Sequence, residues 1–238
     1  MSMTYALQNI APVGIPIGAS LCYNSLVMVY IIDEVEKLDD DFLVNCQKLL
    51  SDERIAVCKR IRPSLGKKAS VVVYLLLRIA LYENYGIDEA IEFVHEEKGK
   101  PILKDYSHIH FSLSHSHNIA ACAVSDCPVG IDVQQIGSIS DKVAKRVLTD
   151  GEYEVFCKSQ APEDYFCKVW TVKESYLKQL GVGITAGFKT ISSENILDKM
   201  VFKNNNYYCC VCGNEAHNMQ VTRIGREQFD ELYNGLKS

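Results

Sequence analysis

Glu174 and Lys178 lie four residues apart, and Asp132 and Gln134 lie two apart. On a helix the first spacing makes a carboxylate and an ammonium surface neighbours. On a strand the second puts a carboxylate and an amide oxygen side by side, opposite Ile131 and Val133. Clustered oxygens suit a hard cation such as Mg2+, especially when a third oxygen arrives from elsewhere, and Glu174 could supply it. A lysine beside such a cation suits a phosphate. The same residues also read as a solvated ion pair worth about 0.3–0.5 kcal/mol and a solvated strand face.

Other stretches offer chemistry of a different kind. Phe111 to His117, FSLSHSH, is a strand running into a turn rich in hydroxyl and imidazole groups, which is also what an ordinary polar loop looks like. His108, His110, His115 and His117 fall close together, and Cys209, Cys210, Cys212 and His217 form a second set. Either could suggest a zinc-dependent hydrolase or a metal-binding module. Neither set has a recognised ligand spacing with a second half, and Tyr207 to Cys212 reads well as an apolar strand.

The elements that position these residues follow from pattern. Lys168 to Gly181 has the length of a helix and ends at a glycine suited to a C-terminal cap. Val169, Trp170, Val172, Tyr176, Leu177 and Leu180 fall on one arc, with Glu174 and Lys178 at its border and Lys173 inside it, where an ammonium must snorkel out or meet an anion. Upstream, Leu26 to Ile32 reads as a strand, Asp39 to Leu50 as a helix, Ser51 to Ile61 as a second interrupted by Pro63, and Gly66 to Tyr85 as a third closing at Gly86. Short strands follow at Glu92–His95, His110–Leu113, Ile119–Val124 and Val129–Val133, with a turn at Lys98 to Pro101. Helices return over Ile139–Leu148, Gly151–Lys158 and Pro162–Leu180. Strands at Met200–Lys203, Tyr207–Cys212 and Met219–Thr222 and a helix from Gly225 close the chain.

Helices then strands, twice over, predict an α+β fold of two similar subdomains, 1–127 and 128–238. The second carries the carboxylates. No Gly/Ser-rich linker separates them, so they are expected to pack closely and share a cleft.

At 238 residues, 47% hydrophobic and 23% charged, the chain is composed like a globular protein, and its net charge of −5 makes an extended nucleic acid an unlikely default partner. The apolar run near Ala69 to Leu77 is bracketed by Lys68 and Arg78, well short of the roughly 20 residues that cross a bilayer. Ten cysteines without a signal-peptide pattern are expected to be reduced and mostly buried, in a cytoplasmic protein.

Taken together, the motifs resemble a family. Gly-Lys-Pro at 99–101, Ser-Leu-Ser-His-Ser at 112–116, Gly-Ile-Asp at 130–132 and WTVKESYLK from Trp170 to Lys178 are similar, in order and spacing, to those of the larger, pseudodimeric 4'-phosphopantetheinyl transferases. The resemblance runs from about Leu50 to Gly183. It implies two α+β halves packed as a pseudo-twofold dimer within a monomer. It also implies transfer of 4'-phosphopantetheine from coenzyme A to a serine of an apo acyl or peptidyl carrier protein, with 3',5'-ADP leaving. By position, Asp132 and Glu174 resemble the Mg2+ ligands and Glu174 also the base. Lys178 resembles the cation on the leaving phosphate, and Lys173 a second group facing the polyanion or the carboxylates. Ser114 and His115 resemble residues that hold coenzyme A phosphates, Lys100 one at the adenine and phosphate end, and Arg54, Lys67, Lys68 and Ser70 are the nearest matches for a 3'-phosphate site. Gln134 stands where a second carboxylate is often found. One negative charge fewer implies weaker Mg2+ binding or a shift toward Mn2+, and it is the single support for a binding protein with weakened catalysis.

Overall fold

The computed structural model describes residues 25–38, 41–60, 64–183 and 187–236. The segment to about Ser20, where Pro12, Gly14, Pro16 and Gly18 among apolar residues predict an irregular or edge-strand arm, the helix start at Asp39 and the break at Ile61 to Pro63 lie outside them.

The first half is built around β1 (Val27–Ile32) and the long helix α3 (Ser64–Tyr85). Val71 to Leu77 reads VVVYLLL, a run whose β-branched residues disfavour a helix by propensity, yet every one of the seven is buried. A helix apolar all round belongs in a core, and packing overrides propensity here. Gly86 ends the helix with φ +69. β4 (His110–Ser116) and β5 (Ile119–Ser125) complete an antiparallel trio in the spatial order β4-β5-β1. A small hairpin of β2 (Phe93–His95) and β3 (Pro101–Leu103) precedes them.

The helix expected over Asp39 to Leu50 is shorter among the described residues. Only α1 (Phe42–Asn45) is α-helical, and Gln47–Leu49 is a 3-10 turn. Phe42, Cys46 and Leu49 still point inward at helical spacing. The chain tightens because the buried Arg78 guanidinium donates to the Leu49 carbonyl at 3.1 Å. The next helix, α2, covers Asp52–Arg60.

The second half repeats the plan. After β6 (Gly130–Gln135) come α4 (Asp141–Val147), α5 (Asp150–Lys158), the long helix α6 (Pro162–Leu180), β7 (Lys199–Asn204) and β8 (Tyr207–Cys212), in an antiparallel sheet ordered β6-β8-β7. In both halves a strand leads to a long helix and then a hairpin, and the last strand lies between the other two. The end of the chain then returns to the first half. β9 (Met219–Arg223) pairs parallel with β1, and α7 (Arg226–Asn234) places Phe229 and Tyr233 with ring centroids 6.1 and 5.6 Å from that of Phe42.

Eight of the described cysteines are free, and Cys127 takes part in a disulfide, a departure from the expectation that all are reduced. Among the described residues no helix is long and apolar enough to cross a membrane.

Candidate active site

The site forms where α6 lies on β6. Proline opens the helix at its first position, where a missing N–H costs nothing, and Gly181 closes it in the left-handed conformation with φ 68. Small side chains at i, i+4 spacing, Cys167, Thr171 and Ser175, let the helix approach the sheet closely, and all three are buried. The approach is closest at Gly130. A β-carbon there would lie 1.9 Å from the Ser175 carbonyl oxygen and 2.5 Å from the Gln179 nitrogen. Gly130 therefore sets how far Asp132, two residues on, can reach toward the helix.

Strand alternation does on β6 what the spacing predicts. Ile131 and Val133 enter the apolar core, while Asp132 and the half-buried Gln134 take the other face. Asp132 is 3% exposed. Its Oδ1 accepts hydrogen bonds from Ser114 Oγ and Lys178 Nζ, both at 2.7 Å, whereas its Oδ2 is buried with no partner. Glu174, also buried, feels the same charges. Burial, then the negative charge of Asp132, pushes its carboxyl up to about 7, with Lys178 opposing. A carboxylate oxygen stripped of water and left unpaired, on a residue whose charge keeps a second carboxyl from ionising, is an arrangement a divalent cation would relieve. Asp132 and Glu174 fit such an ion, with the Gln134 amide as the remaining nearby oxygen donor type on that strand face.

Groups from the first half converge on the same place. His115, exposed near the end of β4, is held below the ordinary imidazole range, first by partial loss of water on its inner side and then by the positive charges of Lys178 and Arg54, with Asp132 opposing. Arg54, on α2, lies 5.7 Å from the centre of the Tyr74 ring and donates to the Ser70 carbonyl, while its Nε is buried without a partner. Lys100 follows Gly99, whose φ of +86 makes the turn, and donates to the Gln179 carbonyl at 3.0 Å, docking the turn on the end of α6. Burial holds its ammonium below the usual lysine range. Between the Lys98–Pro101 turn, β4 and the end of α6 lies a cleft of ≈ 250 Å³, with Pro101, Phe111, Leu113 and Leu177 as apolar wall and Lys98, Lys100 and Lys178 as cations. Phe111, Leu113 and Leu177 were legible only as core positions, and Lys98 only as part of a turn.

Lys173 requires a correction. Its ammonium is fully buried and donates to the Val147 carbonyl at 2.8 Å, the Phe188 carbonyl at 3.0 Å and the Glu152 carboxylate. Glu152 is itself the capping-box residue of α5 and accepts the Ser193 N–H. Lys173 thus ties α6 to its neighbours and does not face the Asp132 carboxylate. Lys68 is buried and donates to the Leu38 carbonyl at 2.7 Å, and Ser70 is buried with its Oγ 3.9 Å from Cys58 Sγ. Neither is presented to a ligand. Lys67 is half-buried in the first turn of α3. Leu180, expected on the buried arc of α6, is 50% exposed.

Among the described residues no group of three or more His, Cys, Asp and Glu converges as metal ligands would. Alternation separates the cysteines. Cys209 faces the core shared with β1, and Cys210 and Cys212 face α6.

The fold and site define a protein with two α+β halves whose junction gathers two carboxylates, an amide and several cations, a set able to hold a divalent cation beside a polyphosphate. The profile of the 4'-phosphopantetheinyl transferase superfamily matches residues 128–216, which carry Asp132, Glu174 and Lys178. The 4'-phosphopantetheinyl transferase gsp of Aneurinibacillus migulanus is 32% identical over 185 residues, covering 69% of this chain and 77% of that protein. The transferase psf-1 of Bacillus pumilus is 33% identical over 147 residues, 60% of this chain and 63% of its own length. Sfp of Bacillus subtilis is 32% identical over 146 residues, 60% and 65%. The chain belongs to the 4'-phosphopantetheinyl transferase family. Its match to psf-1 and Sfp spans less than two thirds of either protein.

Proposed function

We propose that the chain transfers 4'-phosphopantetheine from coenzyme A to a serine hydroxyl of an apo acyl or peptidyl carrier protein and releases 3',5'-ADP. The observation that carries this reading is the unpaired, buried Asp132 Oδ2 beside Glu174 and Lys178, at the edge of a cleft lined by lysines. In the step, the serine oxygen bonds to the β-phosphorus, the P–O bond to 3',5'-ADP breaks, and the serine proton passes to Glu174. A Mg2+ held by Asp132 and Glu174 would offset charge on the pyrophosphate oxygens, and Gln134, with no charge of its own, leaves room for Mn2+ to serve as well.

Lys178 has three donors, of which Asp132 takes one, so it can also stabilise the leaving phosphate. Lys100 and Arg54 bring charge from the first half, and His115 stands among them as a donor for phosphate oxygens. The apolar cleft wall suits the adenine. We read 1–127 and 128–238 as two pseudo-twofold related units in a cytoplasmic monomer, with the β9–α7 segment returning to the first. The recurrence of strand, long helix and hairpin in the same spatial order supports this reading.

Release of 3',5'-ADP from coenzyme A in the presence of an apo carrier protein tests the reaction. Lys178→Ala should slow it about 100-fold. Absence of 3',5'-ADP with the parent protein, across several carrier proteins and with Mg2+ or Mn2+, would overturn the reading.

A further inference from the structure

β4 and β6 belong to different sheets, yet three backbone N–H groups of β6 find acceptors on β4. Ile131 N–H donates to Ser112 Oγ at 3.0 Å, Val133 N–H to Ser114 Oγ at 3.2 Å and Gln135 N–H to Ser116 Oγ at 3.1 Å. Side-chain hydroxyls at every second residue of one strand replace a backbone ladder. All three serines are buried, and so are Ile131 and Val133, whose N–H groups have been taken from water and need their acceptors. The contact joins the two halves at the site and fixes the register of β6.

Ser114 differs from Ser112 and Ser116 in one respect. Its single hydroxyl proton lies on Asp132 Oδ1 at 2.7 Å, the oxygen that also receives Lys178. A serine hydroxyl has one proton to give. In this structure Ser114 directs that proton to Asp132. Two donors on Oδ1 fix the carboxylate so that Oδ2 is left as its unpaired atom.

We propose that Ser114 is a positioning residue for the metal-facing carboxylate. It orients Asp132 through Oδ1 while holding β6 through Val133, whereas Ser116 holds β6 through Gln135 and has His117 Nδ1, at 3.4 Å, as its other partner. This inference deepens the transferase reading and rests on it for the role of the metal.

The test compares Ser114→Ala with Ser116→Ala. Each removes one acceptor from β6, and only the first also releases the carboxylate. Mn2+ is titrated into each purified protein with coenzyme A present and followed by electron paramagnetic resonance, and KM for coenzyme A is measured separately. Ser114→Ala should weaken Mn2+ binding by about tenfold or more and lower kcat, with KM for coenzyme A unchanged within about twofold. Ser116→Ala should leave Mn2+ affinity unchanged. Three results would overturn the proposal: equal loss of Mn2+ affinity in both variants, unchanged affinity in Ser114→Ala, or a raised KM for coenzyme A with normal Mn2+ binding. Mn2+ binding can be read even if the parent transfers nothing, so failure of the transferase reading is a separate result.

Discussion

Glu174 carries the largest consequence of its surroundings. In the folded, metal-free protein burial and Asp132 keep it protonated to about pH 7, against an ordinary value of 4.5. A carboxyl raised in the folded state stabilises fully below the unfolded value, and that stability is lost as pH rises through the folded value. Glu174→Gln, which mimics the protonated form, should therefore match the parent near pH 4.5 and be more stable by on the order of 2 kcal/mol above pH 8. Urea unfolding in a chelating buffer at both pH values checks this. Equal stability at pH 8 would mean that the carboxyl ionises without strain. The same substitution should abolish transfer, as expected where a site is built at the expense of stability. Asp132, Glu174 and Lys178 were legible in the sequence because their spacings are periods of a strand and a helix. Lys173 was legible only by angle. Its place inside the apolar arc was correctly read as needing an acceptor, but the acceptors, Glu152 and two carbonyls, lie on segments that one helix's periodicity cannot locate.

At the scale of elements, the contact of α6 with β6 decides whether these residues meet. Gly130→Ala would place a methyl group 1.9 Å from a helix carbonyl, where only backbone can give way. The substitution should cost about 3 kcal/mol and lower activity further than the loss of stability explains, because α6 carries both Glu174 and Lys178. A urea midpoint near that of the parent with full activity would show that the helix sits farther from the strand. Most elements were legible, since α3, α6, β5 and β8 have long runs with one clear pattern. The short pieces were less so. α1 gave way to a 3-10 turn where Arg78, 29 residues further along the chain, takes its last carbonyl, and β3 is too short to show any period. The serines of β4 stood in plain view at alternate positions, but their partners on β6 follow from how two sheets abut, which local pattern does not encode.

For the whole molecule, the elements around the sheet ordered β4-β5-β1-β9 and those around the sheet ordered β6-β8-β7 meet along β4 and β6, and the site lies at that seam. Each contributes what the other lacks. The second holds the carboxylates and Lys178, and the first supplies Ser114, His115, Arg54 and the Lys100 turn. The expectation of two α+β halves came from the repeated order of helices and strands. The return of β9 and α7 to the first half was not legible, because a strand's pattern names its buried face and leaves its neighbour open. The most direct test of the account is intact mass spectrometry of an apo carrier protein incubated with this protein, coenzyme A and Mg2+, in parallel with Glu174→Gln. The account predicts a carrier protein heavier by one phosphopantetheine with the parent and none with the variant. An unmodified carrier protein with the parent, across several carriers and with Mn2+ as well, or equal modification by Glu174→Gln, would contradict it.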